Sequence, residues 1–190
     1  MSIQGVVFDF DNTIATLDAS TLLRHPFMST RLKEMKDICD IHRGFRLSCF
    51  HRQISKATHT EFISQHDHYA SQLYQKNHIN RGVLEIITYC DTHNIPRAVL
   101  SDHPCLEKLH AVGLASGWSA VVHCRTYHAL KPLPDALYSI SVQLGIAPSS
   151  LLMIGDRWDT DAMMAFLSGA NFMHSADMPH ALQRFHEYKN

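Results

Sequence analysis

Asp9 and Asp11 stand two residues apart at the end of the apolar run Val6-Val7-Phe8. On an extended chain, side chains two apart point to the same side, so the two carboxylates fall together while Phe8 and Phe10 face the other way. Close carboxylates resist joint ionisation unless one keeps a proton or a cation lies between them. A divalent metal resolves that conflict. An all-oxygen donor set suits magnesium, which takes a few carboxylates, water and a substrate phosphate, and Asp156 would supply the other carboxylate. A carboxylate nucleophile can accept a phosphoryl group and later lose it to water, splitting one hard step into two. Asp11 would then protonate the leaving alcohol and afterwards take a proton from the water. Charge developing on the phosphoryl oxygens needs fixed donors and cations, and the Ser101 hydroxyl and Lys131 ammonium are suited to that work.

Those residues must be brought together by the elements that carry them. Val6 to Phe8 ends at Asp9, Ala98 to Leu100 ends at Ser101, and Leu151 to Gly155 ends at Asp156. Apolar runs without polar alternation read as strands buried on both faces. Trp118 to Val122 reads as a weaker strand and Asn171 to Met173 as a short last one. Helices are expected over Val83 to His93, Pro104 to Val112, Pro134 to Leu144 (closed by Gly145) and Ala162 to Leu167. Strand and helix in alternation imply a doubly wound parallel sheet, because parallel neighbours need a crossover. Ligands of such sheets collect at the carboxyl ends of the strands, where Asp9, Ser101 and Asp156 fall.

Between the first strand and Asn80 the pattern is different. Leu32, Met35, Ile38, Cys39 and His42 keep helical spacing. Phe62, His66, Tyr69 and Leu73 follow Thr58 with Glu61 three later, a capping-box signature. Residues 15–80 therefore read as an all-helical insertion just beyond strand one.

The 190 residues suffice for one main core plus a small insertion. A net charge of -1 gives no global attraction to nucleic acid or anionic membrane, so any anion site must be built locally. Cys39, Cys49, Cys90, Cys105 and Cys124 form no CxxC pair, which fits a reducing, cytoplasmic setting better than a disulfide scaffold or zinc knuckle. No basic-then-apolar leader and no run of about 18 apolar residues is present, so neither secretion nor membrane spanning is expected. The fifteen histidines lack metal-site spacing and read as solvated or capping residues. Arg43, Arg46 and Arg52 read as a solvated face.

Phe8-Asp9-Phe10-Asp11-Asn12-Thr13-Ile14 resembles the first motif of the haloacid dehalogenase (HAD) superfamily, an apolar strand leading to Asp-x-Asp-x-Thr. Leu100-Ser101 resembles the second motif, Lys131-Pro132 the third, and Gly155-Asp156-Arg157-Trp158-Asp159-Thr160-Asp161 the fourth. Their order and spacing span almost the whole chain. The resemblance implies an α/β, Rossmann-like HAD core over 1–14 and 81–190 with a helical cap over 15–80, and magnesium (Mg2+) held by Asp9, the backbone carbonyl of Asp11, and Asp156. It implies a supporting place for Asp161, behind the ligands or on a metal-bound water. Thr13 would help place the phosphate or fix the loop. An acid at the Asp11 position is the mark of phosphatases and phosphomutases in the superfamily; relatives that cleave carbon–halogen bonds lack it.

Two positions depart from the common pattern. Asn12 replaces a frequent glycine and tolerates a left-handed backbone. Asp102 replaces a frequent asparagine, and its carboxylate must be paired or turned away if it is not to repel phosphate. The activity expected is magnesium-dependent hydrolysis of a small phosphorylated metabolite through a phosphoaspartate, with no nucleic-acid or membrane partner, by a monomer or homodimer. Alternatives are a phosphomutase, a receiver-like phosphoacceptor module and a catalytically idle binding partner. Substrate choice would rest with the cap, which closes over such sites.

Overall fold

Asp9 begins where the first of five parallel strands stops, and the sheet's construction explains why. A computed structural model of the chain describes residues 2–17, 68, 71–127, 129–176 and 183. The strands are β1 (Gly5–Phe8), β2 (Arg97–Ser101), β3 (Ala120–His123), β4 (Leu151–Gly155) and β5 (Asn171–His174). All neighbours pair parallel in the order β3-β2-β1-β4-β5. The chain leaves β1 to one side for β2 and β3, then crosses back to the other side for β4 and β5. The order thus reverses between β1 and β4, which leaves a crevice beyond their carboxyl ends.

β1, β2 and β4 are wholly buried because both faces are covered. Val6, Phe8, Val99, Leu152 and Ile154 pack on one face with Val83, Ile86, Cys90 and Leu109, from helices α1 (Arg81–Thr92) and α2 (Leu106–Ala111). Val7, Ala98, Leu100, Leu151 and Met153 pack on the other with Ala136, Leu137, Ile140, Met164 and Ala165, from α3 (Asp135–Leu144) and α4 (Met163–Ser168). Burying an aliphatic side chain of this kind contributes about 1.5–3 kcal/mol, and the same surplus explains why the strands read as unbroken apolar runs.

Local signals fix the ends of these elements. Asn80 caps α1, its side-chain oxygen accepting from the Gly82 N–H at 3.1 Å. Gly145 ends α3 in the left-handed region at φ 66°, and Asn12 takes φ 62° in the loop after Asp9. Three elements differ in extent. α2 begins two residues after Pro104, at Leu106. β3 begins at Ala120, because Trp118 is used in packing: its ring lies edge-on to Phe8, the Arg97 guanidinium covers it, and its indole N–H donates to Leu114 O. The last helix opens with a π-helical turn, Trp158–Ala162, whose wide ring brings Asp161 under the sheet end.

The expected helical patterns at 32–42 and 58–73 lie outside the described residues, save His68 and 71–73, which are helical. The ends of that stretch are described. Ala15 pairs with Ile79, the Thr16 N–H donates to His78 O, and the Asn80 N–H donates to Ile14 O. The chain therefore leaves and re-enters the core at adjacent points, beside Asp11. Among the described residues no helix is long and apolar enough to cross a membrane.

Candidate active site

Asp9 follows directly on β1, and its backbone N–H donates to Ile154 O of β4 at 2.8 Å, so the strand ladder itself fixes the residue at the crevice. Its side chain is 8% exposed. The Lys131 ammonium, also buried, lies 2.5 Å from Asp9 Oδ1 and 2.7 Å from Asp161 Oδ1, and so bridges two carboxylates. The other Asp161 oxygen accepts the Arg157 backbone N–H at 3.2 Å. Asp156, at the end of β4, completes the group: ligand oxygens of Asp9, Asp156 and Asp161 all lie within 4.8 Å of one another.

The electrostatics of this group follow from one ammonium serving several acids. Burial pushes the Asp9 carboxyl up to about 8, with Asp161 and Asp11 adding to the rise and Lys131 opposing it. Burial and the Asp161 charge also raise Asp156. Burial alone would lower Lys131, but Asp161, Asp9 and Asp102 outweigh it and hold the ammonium protonated well beyond its usual range. A cluster of hard oxygen donors with negative charge in excess of its lysine fits a divalent cation such as magnesium. Binding would favour the ionised form of Asp9 that burial disfavours.

Gly155 shows how tightly the group is packed. A Cβ there would lie 2.4 Å from Asp161 Cβ and Cγ and 2.5 Å from its Oδ2. Gly155→Ala must push Asp161 off Lys131, at about 1–3 kcal/mol of stability for the overpacking. Thermal melting should show the loss, and magnesium should stabilise the variant less than the wild type; unchanged melting would mean that Asp161 is not confined as described.

Ser101 ends β2 almost fully buried, its hydroxyl accepting the His103 N–H at 3.2 Å. Thr13 is fully buried, and its hydroxyl has no hydrogen-bond partner. Asp102 is turned into the protein, where its Oδ1 accepts the Lys131 backbone N–H at 3.0 Å. The acid that departs from the common pattern thus helps hold the loop that delivers Lys131. Asp159 pairs with Arg157 at 2.6 Å on the surface. Trp158 is 68% exposed, resting on Phe172 and His174.

Asp11 is not in the cluster with Lys131. Its carboxylate accepts from Lys108 Nζ at 2.8 and 2.9 Å and from the Tyr74 hydroxyl at 2.6 Å. Burial would raise its pKa, but Lys108 and Tyr74 hold it below the ordinary carboxylate range. Neither Lys108 nor Tyr74 was singled out from sequence. For Lys108 a signal existed: helical spacing sets it on the face of α2 shared by Cys105 and Val112, an unusual place for a lysine.

The chain thus forms a doubly wound parallel α/β sheet with a buried acidic centre beyond its strand ends. Residues 6–174 match the haloacid dehalogenase-like hydrolase family, and the chain belongs to that family. No curated protein matches it by sequence. Among solved structures the chain is similar to the beta-phosphoglucomutase of Clostridium difficile, with TM-score 0.71 and 14% identity over 98% of each chain. It is similar to the HAD-hydrolase YfnB of Bacillus subtilis, solved bound to magnesium, with TM-score 0.67 and 14% identity over 90% of this chain and 88% of that one. It is also similar to CbbY of Rhodobacter sphaeroides, solved with xylulose-1,5-bisphosphate, with TM-score 0.66 and 15% identity over 90% and 85%. At such identities the likeness is one of fold.

Proposed function

We propose that the chain is a magnesium-dependent phosphatase that hydrolyses a small phosphomonoester through a phosphorylated Asp9. The observation that carries this is the Lys131 ammonium bridging Asp9 and Asp161 beside Asp156, at the crevice where the strand order reverses. Asp9, Asp156 and the Asp11 backbone carbonyl would hold the metal, with Asp161 behind them. When bound, magnesium would offset the carboxylate charge and polarise a phosphoryl oxygen.

In the first half-reaction an Asp9 oxygen attacks phosphorus, the bond to the ester oxygen breaks, and Asp11 gives that oxygen a proton. In the second, water attacks the phosphorus of phospho-Asp9, Asp11 takes the water's proton, and the Asp9 carboxylate and inorganic phosphate separate. Lys131 and Ser101 supply fixed charge and a hydroxyl to the phosphoryl oxygens, with Thr13 beneath the loop. Residues 15–80 serve as a helical cap in this reading, consistent with the adjacent exit and re-entry at Ala15 and Ile79. A small phosphorylated metabolite is the substrate class, as the bisphosphate held by CbbY suggests. A cytoplasmic setting goes with it, since the five cysteines form no CxxC pair.

A phosphomutase is the second reading, favoured by the full-length likeness to beta-phosphoglucomutase. A receiver-like module is disfavoured, because such domains order their strands 2-1-3-4-5. Purified protein with magnesium and 4-nitrophenyl phosphate should release nitrophenol steadily, and EDTA should stop it. Steady release without a sugar phosphate acceptor argues against the mutase. No release, with no turnover across a broad panel of metabolite phosphates, would end the phosphatase reading.

A further inference from the structure

Lys108 lies on α2, outside all four motifs, and is 4% exposed. A buried ammonium is costly unless paired with good geometry. Here both oxygens of Asp11 accept from it, at 2.8 and 2.9 Å, and it sits 5.5 and 5.6 Å from the ring centroids of Phe10 and Tyr74. Tyr74 in turn stands edge-on to Phe10 at 5.2 Å and donates its hydroxyl to Asp11 Oδ1. Asp11 is thus gripped from two directions, by a helix that follows the second motif and by a residue where the chain returns to the core. Three donor contacts on one carboxylate leave it little rotational freedom.

The geometry points to Lys108 as the positioning residue of Asp11, with Tyr74 as its second contact, holding the carboxylate where it takes the proton from the hydrolytic water. This rests on the phosphatase reading above. The step concerned is the second half-reaction: water oxygen bonds to phosphorus, its proton goes to Asp11, and the bond between phosphorus and Asp9 breaks. The first half-reaction with 4-nitrophenyl phosphate is nearly independent of it, because nitrophenolate leaves without a proton.

The test is rapid-mixing and steady-state kinetics of the full chain with 4-nitrophenyl phosphate and magnesium. Lys108→Met should slow breakdown of phospho-Asp9, so a burst approaching one nitrophenol per site precedes a steady rate reduced by roughly 10²-fold. kcat and KM should fall together and kcat/KM should stay within about threefold of wild type, since that ratio stops at phosphoryl transfer. Tyr74→Phe, which removes a donor without removing charge, should move burst and kcat in the same direction. Lys108→Met combined with Asp11→Asn should be no slower than Asp11→Asn alone, because both act through one group.

A fall in kcat/KM without a burst overturns the assignment, making Lys108 a substrate contact or a fold determinant. So do losses that multiply in the double variant. Should Lys108→Met fail to fold, Tyr74→Phe carries the test, and an unchanged burst there overturns it equally. An inactive wild type sinks the phosphatase reading and this inference with it, whereas an active wild type with an unaltered Lys108→Met sinks this inference alone.

Discussion

Asp9→Asn should lower kcat for 4-nitrophenyl phosphate by roughly 10⁴-fold or more, a loss typical of deleting a nucleophile. The amide has nearly the volume of the acid, so the site's shape is kept. What disappears is the anionic oxygen that attacks phosphorus and one negative charge for the metal. Stability should change little or rise, because Lys131 keeps Asp161 as partner at 2.7 Å and a costly buried carboxylate is gone. The two readouts therefore separate: melting holds while turnover collapses. Turnover retained within about tenfold in Asp9→Asn would remove Asp9 from the role of nucleophile.

Lys131→Met should damage both readouts. Removing the ammonium leaves Asp9 and Asp161 buried without their shared cation, and breaking a buried pair in this way costs about 3–5 kcal/mol. For a chain of this size that lowers Tm by roughly 6–20 °C. Activity should fall by about 10²–10³-fold as well, the scale of losing one preorganised charge on the transition state. The stability loss should depend on pH. A carboxyl whose folded pKa is raised holds more protons folded than unfolded, so its contribution is complete below its usual value and is lost as pH climbs through the raised one. For Asp9 that window runs from 3.8 to about 8. Lys131 opposes that rise, so its removal lifts the folded value further, and the Asp9 share of the Tm deficit should be smallest below about 8 and grow as pH climbs through it. A variant that melts like the wild type at every pH would show that the buried cluster is held by something other than this lysine.

The core was readable because its signals are local. Runs buried on both faces are apolar without alternation, Gly145 can adopt a left-handed end where residues with a side chain rarely do, and Asp9, Ser101 and Asp156 sit at strand ends simply by following those runs. The positions of Trp118 and Trp158 were not readable. Whether an aromatic ring packs under a sheet or rests on its edge depends on which strand is its neighbour, and that is decided by topology. The same holds for Asp102, whose carboxylate is satisfied by a backbone N–H 29 residues away in sequence.

By itself, then, the chain's order of residues determined a parallel α/β core and which acids end its strands, since strand ends are properties of neighbours along the chain. Tertiary structure alone decided which of them share a cation. It sent Asp9 and Asp161 to Lys131, and it sent Asp11 to Lys108, 97 residues distant, and to Tyr74, 63 residues distant. The physical reason is that a buried charge selects its partner by desolvation and distance in space, and no periodicity along the sequence records either.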